Sequence, residues 1–213
     1  MPLTLVALTG NINSGKTTVS EYLQNTWGFT EYTFSKPIKE MALIFGFEHH
    51  QVYGTQAQKL EINADWSISA REFLQKFGTD ICRESLSKTI PDMNFGESNS
   101  PWIRLFEIYI KKYIEQYPNG CIVVSDIRFL DEAAVIKKLG GCIVRIDRVA
   151  GIQRTDEHNL DSHNKHSSET EMLNITADFT IFNTGTKDAL YNQITEIVDN
   201  LIHYHFVNFG IPK

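Results

Sequence analysis

Residues Gly10 to Thr17 constrain the fold of this chain more than any other segment. They read Gly-Asn-Ile-Asn-Ser-Gly-Lys-Thr, the spacing of a phosphate-binding P-loop, between an apolar run at 3–8 and an amphipathic stretch at 16–26. The motif requires a strand before the loop and a helix after it, because the loop amides then lie at the positive end of the helix. The sequence therefore predicts a strand over 3–8, a helix over 16–26 and a nucleoside triphosphate site between them.

The residue types in this loop suit the chemistry of a triphosphate. Glycines at both ends allow the backbone to curl so that successive amides point inward. Lys16 can reach the β- and γ-phosphates, and the hydroxyl of Thr17 is placed to ligate the accompanying magnesium ion. A chance match on a glycine-rich turn is the alternative, which the flanking strand and helix patterns disfavour. The predicted nucleotide-binding residues of the loop are Gly10, Asn13, Ser14, Gly15, Lys16, Thr17 and Thr18.

Composition limits the classes of protein to which the chain can belong. Its 213 residues are 42% hydrophobic and 22% charged, so we expect one domain with insertions over 1–213. A net charge of -6 leaves no basic face for a run of phosphates and argues against a nucleic-acid partner. The widely spaced Cys82, Cys121 and Cys142 predict reduced thiols and a reducing cytosol. Because no apolar run approaches the length of a membrane span, we expect a cytoplasmic protein without membrane contacts.

Apolar periodicity predicts that strands and helices alternate along the chain. Beyond the P-loop, strands are predicted at 30–34, Cys121 to Asp126, Cys142 to Ile146 and Phe179 to Phe182. Helices are predicted at 36–46, from Ser69 through Phe77, and at 103–117, 131–139 and 186–203. A polar irregular stretch is expected after residue 46, and loop or broken helix before residue 103. This alternation predicts an α/β fold with a parallel sheet.

A second constellation distinguishes a kinase from other P-loop proteins. Asp126 ends an apolar run that is typical of a strand buried on both faces, and Arg128 follows from the same strand end. A carboxylate there can hold magnesium or accept a proton from the attacking oxygen, and a neighbouring guanidinium suits phosphoryl transfer. A structural Asp-Arg pair is the alternative. With the P-loop present, we predict catalytic roles for Lys16, Asp126 and Arg128, and metal binding by Thr17 and Asp126.

In their order along the chain, these residues and several weaker motifs resemble the deoxynucleoside monophosphate kinases of bacteriophages and large viruses, within the P-loop nucleoside monophosphate kinase superfamily. The resemblance covers nearly the whole chain and rests on residues 10–18, 34–39, Arg71 with 74–79, 125–129, 166–169 and 178–185. One departure is Thr17, where such kinases commonly carry aspartate. That departure leaves the division of labour between Thr17 and Asp126 open.

The resemblance implies a fold, a reaction and a location. The implied fold is the three-layer P-loop kinase fold, with a central parallel sheet flanked by helices, a mostly helical acceptor-binding insertion at 35–118 and a lid-like segment at 148–172. The implied reaction uses ATP and Mg2+ to phosphorylate a deoxynucleoside 5′-monophosphate. The location would be the host cytoplasm if the protein is viral.

The acceptor phosphate is a dianion, so its site needs a cation on the side opposite the donor. As the resembling family suggests, we expect Arg71 to clamp this phosphate, with Lys39 and Arg128 as second choices. A solvated Arg71 that pairs with a nearby glutamate is the alternative. Gln75, one helical turn later, can hydrogen-bond the acceptor base or sugar.

Four aromatic side chains fall in the segment where the acceptor base is expected. Trp66 and Trp102 lie in polar, loop-like sequence and are the better candidates for stacking on the base. Phe73 and Phe77 have helical spacing and are expected to face the core. The residue order does not specify which base or sugar the acceptor carries.

Two arginines flank the predicted lid. Arg148 and Arg154 can swing over the phosphates when the lid closes and stabilise transition-state charge, and Arg148 is favoured because it closely follows a strand end. The histidines of the lid, His158, His163 and His166, do not match a compact zinc motif, so a solvated lid is expected there.

Asn183, Gly185 and Thr186 follow the last predicted strand. They resemble a loop that wraps the adenine in related kinases, and Asn183 and Gly185 are therefore predicted to bind the nucleotide. A tight turn followed by a helix cap explains the same residues equally well.

Two other functions and one assembly remain open from the sequence. Dephospho-coenzyme A kinase and other small-molecule kinases share this core and differ in the acceptor. A nucleotide-dependent regulatory switch is a second alternative, but the chain lacks an Asn-Lys-x-Asp segment that would read guanine. A homodimer is possible, since dimers are the commonest assembly and residues 202–212 are rather apolar.

Overall fold

Strands and helices alternate along the chain in the computed structural model, which describes residues 3–148 and 167–209. In chain order the elements are β1 (Thr4–Thr9), α1 (Lys16–Trp27), β2 (Thr30–Tyr32), α2 (Lys36–Ile44), α3 (His49–Tyr53), α4 (Gln56–Leu60), β3 (Ile62–Asn63), β4 (Ile68–Ser69), α5 (Ala70–Gln75), α6 (Leu86–Thr89), α7 (Pro101–Gln116), β5 (Cys121–Val124), α8 (Leu130–Lys138), β6 (Cys142–Arg148), α9 (Ser167–Asn174), β7 (Phe179–Asn183) and α10 (Lys187–Phe209). Helix α5 continues as a π-helix over Lys76–Arg83. The elements group into two units, Met1–Thr33 with Ile110–Lys213, which we name the sheet unit, and Phe34–Tyr109, which we name the helical unit.

Five parallel strands form the central sheet of the sheet unit, in the order β2-β5-β1-β6-β7. The middle strand, β1, pairs Val6 with Val123 of β5 and Leu8 with Val144 of β6. Every residue of β1 is buried, as is typical of a parallel strand that is covered on both faces. Because all five strands run in the same direction, their carboxyl ends share one edge of the sheet.

Helices cover both faces of this sheet. Val19 and Leu23 of α1, together with Leu190 and Ile194 of α10, belong to one buried cluster with the inward-facing side chains of the strands. Helix α8 packs against β1 and β6. Its Ile136 lies beside Leu5 at Gly141, and Leu5 points to the face opposite that of Val6, since side chains alternate along a strand. The sheet is therefore sandwiched between two helical layers, which confirms the predicted fold class.

Aromatic side chains form the core of the helical unit. The rings of Phe73 and Phe77 stack with centroids 5.1 Å apart, and Phe45 and Phe47 pack on Phe73 at 5.1 Å and 5.0 Å. Phe73 is buried and Phe77 half-buried, so the prediction that this face of the helix turns inward is confirmed for Phe73. A two-stranded antiparallel hairpin, β3-β4, leads into α5.

Several local predictions are wrong in the helical unit. The stretch after residue 46 is not irregular, because it contains α3, α4 and the β3-β4 hairpin. The helix predicted from Ser69 begins there, with Ser69 Oγ accepting the Glu72 N–H at 3.1 Å, but its hydrogen bonding changes to the π type after Gln75. Trp102 does not lie in a loop: it belongs to α7 and is 7% exposed.

In the sheet unit the predicted strands are confirmed with shifted ends. The strand predicted to reach Asp126 ends at Val124, and the one predicted to end at Ile146 continues to Arg148.

Cys82, Cys121 and Cys142 are free, as predicted, and burial raises the pKa of each thiol.

Part of the predicted lid-like segment, 148–172, lies outside the described residues. That part is 149–166, which contains Arg154, His158, His163 and His166. The predictions for those four residues therefore stay predictions. The described end of the segment belongs to α9.

Candidate active site

The backbone of the P-loop requires glycine at both of its ends. Gly10 and Gly15 have φ angles of 136° and 116°, and Asn13 between them has a φ of 62°. Three residues of the loop therefore have positive φ angles, a backbone conformation that most side chains disfavour. A Cβ on Gly10 would collide with the carbonyl oxygen of Ile146, and a Cβ on Gly15 would lie 2.8 Å from Nδ2 of Asn183. The curl predicted from the two glycines is thus present, and neighbouring strands pack tightly around it.

The loop ends at the N-terminus of α1, where the amides of the first turn have no acceptor within the helix. Gly15 is the N-cap, so no side chain caps the first turn, and that turn contains no acidic residue. The unpaired amides and the helix dipole favour a phosphate at this position. The hydroxyl-bearing Thr17 is exposed at the start of the helix. The donor set therefore fits the triphosphate that the sequence predicts.

Lys16 extends back along the loop. Its Nζ donates to the carbonyl oxygens of Gly10 at 2.6 Å and Asn11 at 2.7 Å. Burial, helped by the positive charge of Arg128 and opposed by the negative charge of Asp126, lowers the pKa of Lys16 from 10.5 to about 8. The ammonium group is therefore held at the loop by two carbonyls, in an environment that disfavours its charge.

Asp126 and Arg128 lie just beyond the end of β5, at the same edge of the sheet as the P-loop. Asp126 is half-buried and Arg128 is exposed. Both charges act on Lys16, so the structure brings three of the four residues with predicted catalytic roles near one another, and the fourth, Arg148, lies at the end of β6. A carboxylate and a guanidinium therefore lie near an ammonium group, which is the charge pattern that phosphoryl transfer uses.

Two glutamates that the sequence analysis did not single out support this edge. Oε2 of the buried Glu132 accepts the backbone N–H groups of Arg128 at 2.8 Å and Phe129 at 3.2 Å. Glutamate in the first turn of a helix is a recognised capping pattern, so Glu132 could have been predicted. Oε1 of Glu31 accepts the hydroxyls of Ser20 at 2.7 Å and Ser125 at 2.6 Å. No local pattern predicts that bridge, since Ser125 is distant in sequence.

Arg148 and Asn183 end the last two strands of the sheet and lie opposite each other in the β6-β7 register. Nη1 of Arg148 donates to the carbonyl oxygen of Asn13 at 3.3 Å, and Nδ2 of Asn183 donates to that of Ser14 at 2.8 Å. Gly185 has a φ of 103°, and its N–H donates to Oδ1 of Asn183 at 3.0 Å. The turn that the sequence offered as the alternative for Asn183 and Gly185 is therefore present.

Of the cations predicted for the acceptor, Arg71 and Lys39 lie in the helical unit and Arg128 lies in the sheet unit. Nη2 of Arg71 donates to Oε1 of Gln56, and Gln75 is half-buried one turn further along α5. Nζ of Lys39 lies over the ring of Tyr53, 5.3 Å from its centroid, in a cation–π arrangement.

The two predicted stacking residues have different environments in the helical unit. Trp66 is 51% exposed, and its Nε1–H donates to the carbonyl oxygen of Phe45 at 2.6 Å, which fixes the orientation of the indole. Trp102 is buried, and its Nε1–H donates to the carbonyl oxygen of Gly78 at 2.9 Å. Because its ring packs within the unit, Trp102 offers little surface for a base, and its prediction as a stacking residue is not supported.

Two kinds of feature are absent from the described parts of the chain, 3–148 and 167–209. None of the helices there has the combination of length and apolar character that a membrane crossing needs. Those ranges also contain no group of three acidic, histidine or cysteine side chains arranged to hold a metal ion.

Known proteins resemble this chain over most of its length. The family described as deoxynucleotide monophosphate kinase matches residues 46–194. A protein of Acanthamoeba polyphaga mimivirus, whose name places it among the deoxynucleotide monophosphate kinases, is 34% identical over 201 residues, which cover 93% of this chain and 97% of the relative.

Solved structures of P-loop kinases are also similar. A dephospho-CoA kinase from Campylobacter jejuni has 16% identity and a TM-score of 0.42, over 94% of this chain and 98% of that one. A shikimate kinase from Aquifex aeolicus has 14% identity and a TM-score of 0.46, over 92% of this chain and 96% of that one. The assignment rests on the family match, which spans more than half of the chain, and on the viral relative. This chain belongs to the deoxynucleotide monophosphate kinase family and is a phosphotransferase.

Proposed function

We propose that this enzyme transfers the γ-phosphoryl group of ATP, in the presence of Mg2+, to a deoxynucleoside 5′-monophosphate and so forms the diphosphate. The observation that supports this proposal most is the grouping of Lys16, Asp126 and Arg128 beside the P-loop in a chain of this family. The grouping supplies two cations and one carboxylate, and phosphoryl transfer depends on positioning and on such charges more than on covalent chemistry.

On the donor side, the P-loop and α1 would hold the triphosphate through backbone amides, and Lys16 would hold its β- and γ-phosphates. When bound, Mg2+ neutralises charge on these phosphates. The hydroxyl of Thr17 and the carboxylate of Asp126 are the oxygen ligands of this chain that fit it, and Mg2+ prefers oxygen ligands. Arg128, which is exposed and whose charge acts on Lys16, would stabilise charge that develops on the transferred group.

On the acceptor side, residues of the helical unit would recognise the monophosphate. Arg71 would clamp the phosphate through two N–H groups, since a guanidinium matches phosphate geometry. Gln75, on the same face of α5, would hydrogen-bond the base or sugar. Trp66 would stack on the base, because its half-exposed ring is already fixed by the hydrogen bond to Phe45. Lys39 would supply a further positive charge.

The test is an acceptor panel. Purified protein is incubated with ATP, Mg2+ and one acceptor at a time, either a common deoxynucleoside or ribonucleoside 5′-monophosphate or dephospho-coenzyme A, and ADP and the phosphorylated acceptor are quantified. We expect equal amounts of ADP and diphosphate with particular deoxynucleotide acceptors. ADP release that does not depend on any acceptor would contradict the proposal and indicate a hydrolytic switch. Transfer to dephospho-coenzyme A alone would show that the acceptor is not a deoxynucleotide.

Two matched lysine variants connect that activity to the P-loop. Lys16→Ala should reduce transfer by at least about 100-fold, as expected when a charge that contacts the transferred group is lost. Lys112→Ala removes an exposed lysine of the same unit and should retain wild-type turnover. Wild-type turnover in Lys16→Ala would place the reaction elsewhere in the protein.

A further inference from the structure

Two successive carbonyls of the P-loop are held by side chains from the ends of β6 and β7. Nδ2 of Asn183 donates to Ser14 O at 2.8 Å, and Nη1 of Arg148 donates to Asn13 O at 3.3 Å. Because Arg148 and Asn183 are register partners, their side chains start from neighbouring positions on adjacent strands. Two consecutive peptide groups of the loop are thus fixed from one side.

Asn183 is the better fixed of the two donors. Its Oδ1 accepts the N–H of Gly185 at 3.0 Å while its Nδ2 donates to Ser14 O, so both ends of the amide have partners. The two partners also determine which end is nitrogen, since one is a carbonyl and the other an N–H. The side chain is directed to the P-loop, and it connects that loop with the turn after β7.

The contact with Asn183 continues at the next residue of the loop. A Cβ on Gly15 would lie 2.8 Å from Nδ2 of Asn183, so the amide packs directly against the glycine backbone. Asn13 and Gly15, on either side of Ser14, have φ angles of 62° and 116°. Such conformations persist where the surrounding structure holds them, and the bond to Ser14 lies between them.

The orientation of Ser14 O determines where the next amide points. The peptide bond between Ser14 and Gly15 is trans, so the N–H of Gly15 points opposite to Ser14 O and therefore away from Asn183. If the bond to Asn183 were lost, this peptide could turn over. The N–H of Gly15 would then no longer donate to an anion bound in the loop. The P-loop works through such inward amides.

We propose that Asn183 is a positioning residue that keeps the P-loop in its phosphate-binding shape, with Arg148 supporting the preceding peptide. This inference rests on the proposed role of the P-loop in triphosphate binding, and it assigns the Asn183 side chain to the loop and not to the adenine. Its effect on a ligand therefore comes through the polyphosphate and does not depend on the base.

The experiment compares the affinity of ATP with that of inorganic tripolyphosphate, which has no base. Asn183→Ala should weaken both ligands by the same factor, about 5-fold, as expected for the loss of one neutral hydrogen bond. Asn183→Asp keeps the acceptor for Gly185 but replaces the donor to Ser14 with a negative charge, and should weaken both ligands by more than about 10-fold. Calorimetry measures both affinities, and thermal unfolding checks that each variant is folded.

Gln193→Ala is the matched control. Gln193 is also a side-chain amide that holds β7, because it donates to Phe182 O at 2.9 Å and accepts Phe182 N–H at 2.9 Å, next to Asn183. Its loss should lower thermal stability and leave tripolyphosphate affinity unchanged. Loss of ATP affinity in Asn183→Ala with unchanged tripolyphosphate affinity would overturn the inference in favour of a base contact. Unchanged affinity for both ligands in both Asn183 variants would also overturn it, whether or not the wild type phosphorylates a deoxynucleotide.

Discussion

At Lys16, burial and a neighbouring guanidinium act against the charge that phosphate binding requires. They lower the pKa of this lysine from 10.5 to about 8, although Asp126 opposes the shift. An ammonium group in such an environment gains more from a phosphate than a fully solvated one, because the phosphate replaces the interactions that burial removed. Lys16 is therefore set to respond both to ligand and to pH.

The response of Lys16 to pH can be measured as nucleotide affinity. Below pH 8 the side chain is mostly charged, and above pH 8 the free protein loses the proton, so ATP affinity should fall by about 5-fold between pH 8 and 9. Calorimetric titration over pH 7 to 9.5 measures this slope. Lys16→Met, which cannot titrate, should show no loss over the same range beyond that of ATP itself.

Stability should change with pH in the opposite direction. Because the pKa of Lys16 is lower in the folded chain than in the unfolded chain, the unfolded chain binds more protons between about pH 8 and 10.5. The contribution of Lys16 to the free energy of unfolding therefore rises over that window, while ATP affinity falls. Parallel slopes of wild type and Lys16→Met would contradict the lowered pKa.

Between elements, one carboxylate joins the helix after the P-loop to the strand before Asp126. Glu31 of β2 accepts hydrogen bonds from Ser20 of α1 and Ser125 after β5, and both serines are buried. Buried hydroxyls need partners, and bonds to a charged acceptor are stronger than neutral ones. Three elements that carry the candidate active site are therefore connected through one side chain.

Removal of this bridge should destabilise the fold. Glu31→Ala leaves the buried hydroxyls of Ser20 and Ser125 without their charged acceptor, and we expect a loss of about 2–3 kcal/mol in the free energy of unfolding. Glu31→Gln keeps an acceptor oxygen and should lower the free energy of unfolding by less. Glu21→Ala, an exposed site on α1, should stay within about 0.5 kcal/mol of wild type. Denaturant unfolding measures all three, and equal losses in Glu31→Ala and Glu21→Ala would contradict the bridge.

Features that depend on residues close together in the chain could be predicted from the sequence, and features that depend on distant residues could not. The buried strands β1, β5 and β6 have continuous apolar runs, and the P-loop has fixed spacing, so local patterns were sufficient for both. The β3-β4 hairpin has only two residues in each strand, too few for any alternation to show. The environment of Trp102 depends on α7 packing near Gly78, 24 residues away, and the contact of Asn183 with Ser14 spans 169 residues. Such contacts come from the tertiary fold and leave no local pattern.

At the scale of the whole molecule, the proposed donor and acceptor residues belong to different units. The P-loop, Asp126 and Arg128 are in the sheet unit, and Arg71 and Gln75 are in the helical unit. Substitutions in the sheet unit should therefore change the KM for ATP, and substitutions in the helical unit should change the KM for the deoxynucleotide. Separate responses of the two ligands would distinguish a two-substrate kinase from a protein that binds and hydrolyses one nucleotide.

Arg71→Ala tests this separation through the two KM values. If Arg71 clamps the acceptor phosphate, its loss should raise KM for the deoxynucleotide by about 10- to 100-fold, as expected for a charge-assisted hydrogen bond, and leave KM for ATP within about 2-fold. Lys76→Ala is the control, because it removes an exposed cation just after α5 that pairs with Glu72. It should leave both KM values unchanged. An equal rise in both KM values for Arg71→Ala would mean that this arginine supports the fold of the helical unit, through its bond to Gln56, and does not select the acceptor.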